Sequence, residues 1–175
     1  MNLYELAGGS EAFHRMTKTF LAKAQADDLL GTMFAGLDDH AGHIADFFVM
    51  TFGGPDDYQR ERGDLRFLLK QHVGLRITEE QRLRWIRLMT ASARETDLPE
   101  AFVTVFVNFL QGPSRNTTRV SHLSPAEARA MLGDGPRSTQ GASQLMMREA
   151  QEDPCPRGRL TVRSSSSDRL RFTGA

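Results

Sequence analysis

The sequence predicts an all-α fold, on three observations. Apolar residues recur at spacings of three and four in several stretches across roughly the first 120 residues. No run there alternates with the period of two that marks a half-buried strand. Capping residues and glycine or proline breaks separate the stretches and cut them to helix length. With 175 residues, the chain can form one domain with a buried core plus a tail. The expected division is a helical domain over 1–121 and a tail over 122–175 that carries one or two short helices and is otherwise largely disordered.

Taken in order, a short lead-in ends at the Gly8-Gly9 break, and Ser10 is the expected cap of the first long helix. Phe13, Met16, Thr17, Phe20, Leu21 and Ala24 form its apolar face. Asp27-Asp28 open a short segment that ends at Phe34, and Asp38-Asp39 start the next helix. That helix bears a stripe of His40, His43, Ile44, Phe47, Phe48 and Thr51, and Gly53-Gly54-Pro55 stops it. A polar loop, DDYQRERGD, leads to a helix with Leu65, Leu68, Leu69 and His72 on one face, broken at Val73-Gly74. Thr78 and Gln81 form a capping box for a helix carrying Trp85, Leu88, Met89, Ser92 and Ala93. After a break at Asp97 to Pro99, Phe102, Val105, Phe106, Phe109 and Leu110 make the last long stripe. Gly112-Pro113 is expected to interrupt it, because proline removes a donor and collides with the preceding turn. Ser124-Pro125-Ala126-Glu127 reads as a cap, a first-turn proline and an N3 glutamate, so about two turns of helix follow. A further helix is expected over 140–151, and beyond Asp153 the Pro, Arg and Ser content predicts a mildly cationic disordered end.

Composition excludes some partners. Lys+Arg and Asp+Glu both number 22, so there is no cationic surplus for phosphate binding. No apolar run is long enough for a membrane span. Neither nucleic acid nor membrane is an expected partner. The start, MNLYELAGGSEAF, lacks the cationic and apolar regions of a signal peptide, so a cytoplasmic protein is expected. The single cysteine, Cys155, cannot form an internal disulfide, which agrees with a reducing compartment. It lies in a polar Pro/Arg stretch and reads as a stray thiol rather than a nucleophile.

The chemistry-bearing residues are His40, His43, His72 and Trp85. A histidine ending an apolar stripe opposite another helix is either a core residue satisfied by backbone groups or an axial ligand for an iron porphyrin, which needs one neutral imidazole nitrogen and a dry wall. His40 and His43 either lie at the solvent edge of their stripe or line the same pocket. A zinc site from His40, His43 and His72 is a third reading, weakened by the lack of an HExxH glutamate. A cofactor-free helical interaction module is a fourth.

The stretches EAFHRMTKTFLAKAQADDLLGTMF, HAGHIADFFVMTFGGPDDYQRERG and LLKQHVGLRITEEQRLRW, in that order and spacing, resemble the truncated haemoglobins, and most closely group II of that family. The likeness covers roughly residues 3–120 and includes the Gly-Gly and Gly-Gly-Pro breaks. It implies a two-over-two helical sandwich holding haem b. His72 matches the proximal iron ligand, and Leu69, on the same stripe, is expected to contact the haem. Trp85 matches the tryptophan that marks group II, and His40 matches the first distal position. Ile44 matches the apolar residue over the iron, Phe47 the aromatic one turn on, and Phe34 the aromatic that wedges the porphyrin. Members commonly carry tyrosine where this chain has Leu21, so the donor load falls on His40 and Trp85. Arg76 is the favoured partner for the haem propionates, with Tyr58, His43 and Lys70 as further candidates.

The function implied is binding of dioxygen, carbon monoxide or nitric oxide at a five-coordinate iron, for oxygen binding or transport or for detoxifying reactive nitrogen and oxygen species. Peroxidase-like or nitric oxide dioxygenase chemistry is the alternative. No flavin or nicotinamide domain is encoded, so a reductase would be a separate protein. A monomer or homodimer is expected, and His40 could itself ligate the iron.

Overall fold

The computed structural model describes residues 2–133, which form helices and connecting turns with no strand among them. The order is α1 (Leu3–Ala7), α2 (Ser10–Gln25), α3 (Gly31–Phe34), α4 (His40–Thr51), α5 (Asp57–Glu61), α6 (Leu65–Gln71), α7 (Glu79–Glu95), α8 (Glu100–Ser121) and α9 (Pro125–Leu132). Helix α2 packs against α4 and α7, and α7 packs against α8. This is the all-α, two-over-two sandwich that the sequence resemblance implies.

The whole α2 stripe is buried, from Phe13 and Met16 through Thr17, Phe20 and Leu21 to Ala24. Its Phe13 meets Phe102 of α8 edge-on at 5.6 Å and stacks on Phe52 at 5.9 Å. Phe52 and Phe48, at the end of α4, reach Phe109 and Phe106 at 4.9 and 5.1 Å. One aromatic cluster thus pins α2, α4 and α8 together, each edge-to-face pair adding about 0.5–1.5 kcal/mol to the area it buries.

The lead-in is more ordered than the sequence suggests. Asn2 and Glu5 form a capping box, so α1 is helical. It docks through the Tyr4 N–H, which donates to the Phe52 carbonyl at 3.1 Å. A Cβ at Gly54 would come within 2.6 Å of the Tyr4 ring and 2.8 Å of Val49, so only glycine lets α1 lie there. Ser10 does not cap α2: the cap position is Gly9, and the Ser10 hydroxyl bonds the Tyr4 hydroxyl at 3.1 Å. The polar loop before α6 contains the short helix α5. On α8, Val105 faces solvent and Val103 is buried in its place.

The expected interruption at Gly112-Pro113 does not occur, and α8 runs unbroken past Pro113. A strap holds it. Buried Arg82 donates from Nη1 to Gln111 Oε1 at 3.3 Å and Ser114 Oγ at 3.0 Å. Its other donors engage the Glu79 carboxylate at 2.6 and 2.7 Å. The helix is also anchored on both sides of the proline, by Phe109 and Leu110 before it and Val120 after it.

The box at Ser124 and Glu127 forms as its sequence predicts and starts α9. Leu132 of α9, Val120 of α8 and Leu69 of α6 make a second, smaller core on the back of α6. The helix expected over 140–151 and Cys155 lie outside the described residues. Among the described residues, no helix is long and apolar enough to cross a membrane.

Because the strap holds Pro113 where an isolated helix would reject it, Pro113→Ala should raise the stability of the chain, by up to about 3 kcal/mol. Denaturant unfolding checks this; an unchanged or lowered midpoint would show that the proline carries no strain.

Candidate functional site

The buried Asp64 carboxylate starts α6 by accepting the Phe67 N–H at 3.1 Å. Leu65 and Leu68 pack against the core, and the helix ends on His72. There the ring makes one hydrogen bond among the described residues, from Nδ1 to the Leu68 carbonyl at 2.8 Å. A carbonyl only accepts, so Nδ1 carries the proton and Nε2 keeps its lone pair. Burial pushes the imidazole below its ordinary 6.5, and the Leu68 bond opposes this only in part. His72 is therefore a neutral, oriented imidazole with a bare Nε2, the state a metal-binding histidine needs.

His40 opens α4, near enough to His72 to feel its charge. Burial comes first, then the charges of His43, His72 and Arg62, and together they hold its pKa down to about 4. Its ring meets Phe34 edge-on at 5.8 Å and His43 at 6.1 Å. Phe34 meets Phe20 at 5.6 Å, and Phe20 meets Trp85 at 5.7 Å. An aromatic line thus runs from Trp85 to His40 through Phe20, a residue that the sequence marks only as core. On the other flank, Phe47 packs on the buried Tyr58 ring at 5.5 Å. Ile44 lies half-buried between Phe47 and His40 along α4.

Leu21 is buried on α2, at a groove of about 420 Å³ between α2 and α4 that His14, Lys18, Gln25, Asp38, Ala41 and Gly42 also line. Three nominated residues fall elsewhere. Leu69 faces Val120 and Leu132 on the back of α6. Lys70 lines a cleft against α9. Arg76 is exposed in a left-handed turn with φ of 52°. A cation near the two α4 histidines is Arg62, half-buried after α5: burial lowers the pKa values of His40 and His43 and the Arg62 charge adds to this, whereas burial raises that of Tyr58 and Arg62 opposes it. Its polar loop carries no periodic signal that could have singled it out. Among the described residues, no three metal-ligating side chains converge, so His40, His43 and His72 do not make a zinc site.

The model of the bacterial-like globin family matches residues 2–112. The chain belongs to the bacterial-like globins. It is similar to the haemoglobin of the thermophilic phototrophic bacterium Chloroflexus aurantiacus, at 30% identity over 67% of this chain and 97% of that one, with a TM-score of 0.62. The thermostable haemoglobin of the actinobacterium Thermobifida fusca gives 29% identity over 70% of this chain and 100% of that one, with a TM-score of 0.63. The group II truncated haemoglobin of Bacillus anthracis, at 20% identity over 72% of this chain and 97% of that one, has the same fold with a TM-score of 0.64. No curated protein matches the chain.

This globin is a haem-binding protein, and its residues fit the group. One half-buried imidazole offers a lone pair, aromatic rings pack along α4 and beside His40, and Arg62 and Tyr58 offer donors for carboxylates.

The electrostatics of His40 predict a pH dependence. Its folded value, about 4, lies below the ordinary 6.5, so the unfolded chain takes up the proton first as pH falls. The haem-free globin should lose stability from pH 6.5 to about 4 and lose no more from this residue below that. His40→Leu should flatten the slope in that window in denaturation midpoints; an unaltered slope would assign the titration elsewhere.

Proposed function

We propose that this globin holds haem b between α4 and α6 and binds dioxygen, carbon monoxide or nitric oxide, as a group II truncated haemoglobin with its globin unit over 1–121. The observation that carries the reading is the His72 imidazole, its Nδ1 proton committed to Leu68 and its Nε2 bare. Haem, when bound, supplies an iron with a coordination position free for a diatomic gas. His72 Nε2 is the axial ligand in this reading. Phe34, Ile44 and Phe47 exclude water. Arg62 and the Tyr58 hydroxyl, which burial keeps protonated, serve the propionates. The single cysteine supports a reducing, cytoplasmic setting.

His40 and Trp85 supply the donors on the gas side. A hydrogen bond to a charged acceptor contributes about 1.5–3 kcal/mol, which corresponds to roughly tenfold or more in release rate. Leu21 supplies none. A pocket with two donors instead of three releases dioxygen faster, which suits turnover or delivery better than storage. A redox role is the second reading. His40 stays neutral well below neutral pH and so can accept a proton from peroxide, with a separate protein as reductant.

Absorption spectra of the purified protein test the proposal. A strong band near the violet edge that shifts with carbon monoxide is expected, as is its collapse in His72→Gly with recovery on adding imidazole. A colourless protein, or a spectrum indifferent to His72→Gly, would defeat it. In stopped flow, Leu21→Tyr should slow dioxygen release about tenfold or more. An unchanged rate would remove Leu21 from the gas side.

A further inference from the structure

We infer that Ser121 and His122, at the end of α8, position the His72 imidazole by holding the segment that follows it. The inference rests on the axial role proposed for His72. Beyond residue 72 the chain leaves α6 and has no helical turn of its own until Thr78 caps α7. Its path is strained. Gly74 has φ of 84°, and Arg76, which has a side chain, has φ of 52°. Such a path persists only where its surroundings impose it.

Those surroundings are two residues. The Ser121 carbonyl accepts both the Gly74 and Arg76 N–H groups at 3.0 Å. The Ser121 hydroxyl accepts the Ile77 N–H at 2.9 Å and donates to the Thr118 carbonyl at 2.6 Å. His122 Nε2 donates to the Ile77 carbonyl at 2.9 Å. Ser121 is fully buried, so its own end of these bonds is shielded from water, while the His122 bond lies at the surface. The Leu75 N–H donates to the His72 carbonyl at 3.2 Å, which ties the tethered segment to the histidine's own backbone. The ring is thus aimed from two sides, by Leu68 through Nδ1 and by the α8 terminus through the main chain. Both α8 residues lie past the stretch matched by the family model.

The test uses the full-length ferrous holoprotein and reads two signals, the iron–histidine stretching band in resonance Raman spectra and hydrogen exchange at the Ile77 amide. Ser92 is the control. It is equally buried and donates to the Leu88 carbonyl at 2.8 Å within α7. In Ser121→Ala, the band should shift and Ile77 should exchange about two- to tenfold faster. Ser92→Ala should leave both unmoved, whatever its effect on stability. An unmoved band in Ser121→Ala, or an equal shift in Ser92→Ala, overturns the inference. Where Ser121→Ala does not fold, His122→Ala, altered at an exposed residue, carries the same test: a shifted band supports the tether and an unmoved one rejects it. His72→Gly separates the two levels. A band that survives it overturns the axial role and the inference together. A band that vanishes there yet stays fixed in Ser121→Ala and His122→Ala overturns the inference alone.

Discussion

One hydrogen bond, from His72 Nδ1 to the Leu68 carbonyl, decides what this pocket can do. It is made within a single turn of a seven-residue helix, so its geometry depends on how α6 ends. It selects the tautomer, aims the ring and leaves one nitrogen uncommitted. The Asp64 cap starts the helix, its apolar stripe seats it on the core, and the break at Val73-Gly74 ends it at that residue. Without the bond, the same imidazole could turn either nitrogen to any polar neighbour.

The surrounding charges reinforce the neutral state. Burial is the leading cause for His72, His40 and His43 alike, and the nearby Arg62 guanidinium adds to it at the two α4 histidines. Three imidazoles near one cation would repel one another if charged, so the pocket favours the forms that carry lone pairs. The aromatic line from Trp85 through Phe20 and Phe34 fixes the opposite wall without further polar groups. Placement and protonation therefore follow from the same desolvation.

Much of this was legible in the sequence, for physical reasons. The α2 stripe is complete because that helix is covered by α4 and α7, and periodicity reports burial directly. The boxes at Thr78 and Ser124 are local, and local bonds need no tertiary partner to be read. Other features were beyond reach. Leu69 shares the spacing of Leu65 and Leu68, but α6 is packed on two faces, and a one-face pattern cannot tell them apart. Pro113 obeys its local rule as a breaker until buried Arg82, remote in sequence, straps the helix across it. Arg62 lies in a loop whose composition says only that it is polar, and Arg76 turns outward because its backbone is held by Ser121.

The second small core has a consequence for chain length. Leu69, Val120 and Leu132 are each more than nine-tenths covered, and they cover one another. A protein ending where α8 ends would keep its sandwich but leave the back of α6 greasy and wet, with Leu69 and Val120 as neighbours in an open patch. Apolar surface of that kind drives self-association. The short helix α9 thus acts as a lid on the back of α6, keeping the outer side of that helix dry.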